Sequence, residues 1–120
     1  MQRDVRAYLR DILDACDAIA VALQDSSLEG YRANRTIRSS VEREFIIIGE
    51  AMAGLAGSSP VLFGKITDGR RIVDFRNHLA HEYRAVNDVL VWGIADRDVP
   101  VLRRECALLL ANLEADASSA

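Results

Sequence analysis

Asn34-Arg35-Thr36-Ile37-Arg38-Ser39-Ser40-Val41-Glu42-Arg43-Glu44-Phe45-Ile46-Ile47-Ile48-Gly49-Glu50-Ala51-Met52-Ala53-Gly54-Leu55 decides the fold class. Ile37, Val41, Phe45, Ile48, Met52 and Leu55 recur at intervals of three and four, which puts them on one side of a helix. The run Phe45-Ile46-Ile47-Ile48 widens that stripe, so this helix is expected to be buried on more than one side and to be the central one. Asn34 is a suitable cap, because its side chain can accept a backbone N–H at the first turn.

The same periodicity runs outward in both directions. Val5, Leu9, Ile12, Cys16, Ile19 and Leu23 mark a first helix from about Arg3 to Gln24, followed by a polar break at Asp25-Ser26-Ser27 and a short turn to about Arg32. Past the central helix, Gly54, Gly57, Ser58, Ser59 and Pro60 are stop signals, and residues 60–67 read as a connection with room for one helical turn. Asp68 is the expected cap of a helix reaching about Glu82. A last helix starts near Asn87 or Asp88 and carries Val91, Ile94, Leu102, Leu109 and Leu113, with a kink expected over 96–100 because Pro100 lacks an N–H. Strand-like alternation is absent. The expectation is a single all-α domain over residues 1–114, a compact antiparallel bundle of about five helices, with a short flexible tail at 115–120.

Composition narrows the function classes. Half of the 120 residues are apolar and 28% are charged, the balance of a globular chain rather than a disordered or membrane-spanning one. Charges at Arg3, Asp4 and Arg6 stand where a secretion signal needs an apolar core, so a cytoplasmic location is expected. A net charge of -3 argues against a surface that coats nucleic acid generally, and any contact with phosphates must be local. Cys16 and Cys106 each sit in an apolar helical pattern outside any close-spaced metal motif, and are expected to be buried free thiols.

The chemistry is concentrated in Arg76-Asn77-His78-Leu79-Ala80-His81-Glu82-Tyr83. At about 100° per residue, Ile72, Phe75 and Leu79 share the apolar face, and Asp74, Asn77, His78 and His81 the opposite one. Arg76 and His81 are five apart, roughly 140° around an ideal helix, so one straight helix does not aim both at one atom. Either the helix unwinds before His81, or a second copy supplies the missing partner across a two-fold axis; the spacing favours the second. Imidazole moves protons near neutral pH, and a guanidinium holds two phosphate oxygens while staying charged. That pair suits chemistry at a phosphate ester, with His81 as base and Arg76 stabilising charge on phosphorus. Asn77, one turn before His81, orients its ring or binds phosphate. No acidic cluster provides an evident magnesium site, consistent with metal-free cleavage and no cofactor.

An Arg, four residues, a His, one residue and a Tyr, here Arg76 to Tyr83, resembles the signature of the HepT toxins within the HEPN superfamily. Ile48-Gly49-Glu50-Ala51 and the stretch from Val91-Trp92 to Val99-Pro100-Val101-Leu102 also look like that family's helices, so nearly the whole chain agrees. The resemblance implies a homodimer or higher homo-oligomer whose Arg and His face a cleft between protomers. It implies a metal-independent endoribonuclease, the toxin of a type VII-like toxin–antitoxin system. Its partner would be a MntA-type nucleotidyltransferase antitoxin that attaches AMP to the motif tyrosine. On this chain the catalytic pair falls on Arg76 and His81 and the modified residue is Tyr83; His78, at a variable position, inherits no role.

Plainer readings stand beside these. Arg76 alone would be an ion-pairing residue for Asp74 or Glu50, His81 a surface histidine, and Tyr83 a ring packed at a helix end. Arg35, Arg38 and Arg43 read as a solvated edge balanced by Glu42 and Glu44, with steering of RNA as the sharper alternative, and Glu50 as the partner of a buried arginine, with orientation of the site as its alternative. Two other function classes remain: a non-catalytic HEPN module that binds nucleotides or scaffolds a nucleotidyltransferase, and a purely structural helical dimer. For the last, Arg76 and His81 would be freely replaceable.

Overall fold

The structure, a computed structural model, describes residues 3–81 and 86–119. Those residues form six helices: α1 Val5–Leu23, α2 Leu28–Ala33, α3 Arg35–Ser58, α4 Pro60–Gly64, α5 Gly69–His81 and α6 Asp88–Ser119. Among the described residues there is no strand. The connection at 60–67 does contain a helical turn, because Pro60 starts α4 with a favourable φ and the Ser59 hydroxyl accepts the Leu62 N–H.

Polar side chains set most of the helix starts. Asp4 accepts the Arg6 N–H ahead of α1, Ser27 that of Gly30 ahead of α2, and Asn34 that of Ile37 ahead of α3. Asn87 accepts both Val89 and Leu90 N–H groups at 3.0 and 3.1 Å and so caps α6. Asp68 behaves differently. It takes a left-handed φ of 56°, its carbonyl accepts the Ile72 N–H, and its carboxylate faces Arg71. The turn before α5 is held instead by Thr67, whose backbone N–H and hydroxyl both donate to the Glu105 carboxylate of α6.

The central-helix reading holds. α3 packs on α1 along one side and on α5 along another, burying Val41, Phe45, Ile48, Ala51, Met52 and Leu55. Helix α6 lies on α1, where Arg10 pairs with Glu114 and Asp17 with Arg103, a register that runs antiparallel. On the other side, Phe45 meets Phe75 edge-on and Glu50 reaches Arg76, while Gly69 lies beside Met52; α3 and α5 are antiparallel too. The core joins Leu9, Ile12 and Ile19 of α1 to the α3 stripe, Val73 and Leu79 of α5, and Val91, Leu102 and Cys106 of α6. Helix α6 continues through Pro100 and on to Ser119.

Cys16 and Cys106 are both buried and unbridged, and burial pushes each thiol up to about 12, far from the range in which a thiolate reacts. Arg38 is taken up structurally. It donates to the Arg32 carbonyl and faces Asp88, tying the start of α3 to the end of α2 and the start of α6. No helix of the described residues is long and apolar enough to cross a membrane.

Candidate active site

Helix α5 carries the candidate residues and α3 sets their positions. Ile72, Val73, Phe75 and Leu79 turn inward, with Val73 and Leu79 buried in the core. Asp74, Asn77 and His81 are exposed and His78 is half-buried, so the polar face expected from the sequence is present. His81 is the last residue of α5, and the helix is continuous up to it. Unwinding before His81 is therefore absent, and Arg76 and His81 remain five positions apart on one regular helix.

Arg76 lies between those faces, against α3. A Cβ placed on Gly49 would overlap both Cβ and Cγ of Arg76 and would stand 3.4 Å from its Cα. The glycine thus lets the α5 backbone and the arginine stem lie directly on α3. Two acceptors then hold the head. Nη1 donates to Asn77 Oδ1 at 2.8 Å, and Nη2 faces Glu50 Oε1 at 3.4 Å. The Nε is buried without a hydrogen-bond partner, while the side chain as a whole is 30% exposed. Each Nη carries two hydrogens, so one on each nitrogen remains beyond these bonds, and an oxyanion can reach the group only at its Nη end.

Of the residues expected to act, Arg76, Asn77 and Glu50 are brought together. Asn77 serves Arg76 rather than the His81 ring. The ion pair of Arg76 is with Glu50, not Asp74, and Glu50 itself is more than half exposed. Tyr83 lies outside the described residues. Gly49, named from the sequence only as part of the family resemblance, has no role there, although a glycine inside a broad apolar helix stripe is itself a sign of close backbone approach. Among the described residues, no group of three or more His, Cys, Asp or Glu is placed to hold a metal ion.

A family model described as ribonuclease HepT-like matches residues 12–109. The chain belongs to the HepT-like family. The matched span of this HepT-like chain takes in the α3/α5 crossing and the whole of α5. The chain is 31% identical over 108 residues to a Methanocaldococcus jannaschii protein provisionally named an RNase, covering 90% of this chain and 98% of that one. A second protein of that organism, with a name of the same kind, is 28% identical over 113 residues, 94% of this chain and 97% of its own. A Thermococcus cleftensis protein, provisionally named ribonuclease HepT, is 27% identical over 103 residues, 86% and 93% of the two chains. No solved structure matches the chain.

Proposed function

We propose that this HepT-like chain is a metal-independent endoribonuclease and the toxin of a type VII-like toxin–antitoxin pair, acting in the cytoplasm through Arg76 and His81. The observation that carries the reading is the state of Arg76. It is a guanidinium fixed at two Nη positions yet 30% exposed, on the same helix as an exposed histidine. A fixed and accessible guanidinium is what a phosphate charged through the transition state requires.

In this reading, His81 takes the proton of the RNA 2′-hydroxyl, the 2′-oxygen attacks phosphorus, and the bond to the 5′-oxygen breaks. Arg76 holds the phosphate oxygens while their charge grows. The leaving 5′-oxygen needs a proton in return. Since α5 stays helical to His81, with the pair roughly 140° apart around it, a second copy related by a two-fold axis completes the site, and the His81 that took the 2′-hydroxyl proton returns it to the 5′-oxygen.

The products test this chemistry. Cleavage is expected to persist in excess EDTA, to leave 2′,3′-cyclic phosphate ends, and to fail on a substrate with hydrogen in place of the 2′-hydroxyl at the cut. Activity lost on chelation and restored by magnesium would reject it.

The partner proposed is a MntA-type nucleotidyltransferase antitoxin that adds AMP to Tyr83. Each AMP brings a phosphate whose charge is attracted to the same guanidinium that RNA uses. With such an enzyme and ATP, the intact mass of the chain is expected to rise by AMP units and cleavage to fall, while Tyr83→Phe keeps its mass and its activity. An adduct that persists in Tyr83→Phe would exclude that residue as the acceptor.

A further inference from the structure

We propose that Glu50 is a positioning residue for Arg76: its carboxylate and the Asn77 amide clamp the two Nη groups from opposite helices and set the plane in which the guanidinium meets phosphate. The proposal rests on the ribonuclease reading for its effect on turnover, and on geometry alone for its effect on the arginine.

Three observations support it. First, Glu50 contributes little as a structural ion pair. It is 58% exposed, and a pair that open to water adds little to folding. Second, Asn77 is the neighbour of Arg76 on α5 and moves with it, whereas Glu50 stands on α3. The contact from α3 is the one that fixes the head relative to the body of the protein. Third, Glu50 follows Gly49, the residue that admits the Arg76 stem. Consecutive positions on α3 thus locate the base of the side chain and its tip. With Nε buried, the remaining freedom of the head is rotation at its Nη end, which Glu50 opposes.

A guanidinium set in advance stabilises charge only as it forms, so removing the clamp lowers kcat rather than raising KM. Misplacement of a catalytic group by about 1 Å costs about 10²-fold. Glu50→Ala is expected to lose about 10- to 100-fold in kcat with KM within about twofold, and to keep the parental melting temperature within a few degrees. Glu50→Gln retains an oxygen acceptor at the same place and is expected to recover most of that loss. Arginine side-chain NMR gives a readout independent of cleavage. The Nη signals of Arg76, assigned by their absence in Arg76→Lys, are expected to be resolved in the parent and averaged in Glu50→Ala. Unchanged Nη signals in Glu50→Ala, or parental kcat in that variant, would overturn the proposal. A parent that cuts no RNA would overturn the ribonuclease reading instead, and the NMR comparison would then decide the positioning role by itself.

Discussion

His81→Ala and Arg76→Ala are each expected to abolish measurable RNA cleavage while leaving a folded helical protein. Positioned proton transfer contributes about 10²–10⁴-fold, so loss of the imidazole alone takes cleavage down by that factor. Arg76→Ala removes the charge that meets the phosphate and is expected to cost at least as much. Neither change opens the core. His81 is exposed at the end of α5. Removing Arg76 leaves Glu50 more than half in water, so no buried charge is stranded. The far-ultraviolet dichroism should match the parent, and the melting temperature should fall only slightly, through loss of the arginine stem from α3. Arg76→Lys keeps the charge but offers one ammonium where Asn77 and Glu50 hold two separate nitrogens, and it is expected to stay near the alanine variant. Parental cleavage by a folded His81→Ala protein would remove His81 from the mechanism.

Much of the framework was legible because it rests on local rules. The apolar stripes of α1 and α3 follow from spacing, and Asn34 and Asn87 cap α3 and α6 as short polar acceptors should. What could not be read is what depends on a second helix. Asp68 has the right chemistry for a cap, but the turn ahead of α5 is tied to Glu105, thirty-eight positions away, and the Asp68 backbone adopts a positive φ. Arg38 looks from the sequence like one of three solvated cations; only the packed α2 and α6 show that it bridges Arg32 and Asp88. At the site, the residue types were legible and the partnerships were not. Asn77 could serve either ring or guanidinium until the Arg76 head was placed, and the value of Gly49 is invisible until α5 crosses it.

That crossing supports the last prediction: Gly49→Ala is expected to destabilise the protein and disable the site together. On propensity alone, alanine in the middle of a helix gains up to about 1 kcal/mol over glycine. Here the added methyl would overlap Cβ and Cγ of Arg76, with its Cα at contact distance behind them. Rotating the arginine moves Cγ but not Cβ, which is fixed by the α5 backbone, so α5 itself must shift away from α3. Overpacking of this kind costs about 1–3 kcal/mol, enough to outweigh the propensity gain across most of that range. The same shift separates Arg76 from Glu50, and cleavage should fall about 10²-fold or more even where the protein still folds. Gly57, on the same helix with nothing within 4 Å of its added Cβ, is the control: Gly57→Ala should leave activity intact and stability equal or slightly higher. The second control is a swap. In a Gly49→Ala background, Arg76→Gly removes both overlapping carbons, so urea midpoints should recover part of the loss while cleavage stays absent. Gly49→Ala with parental stability and activity would show that the α3/α5 crossing accommodates a methyl and that Gly49 does not set the position of Arg76.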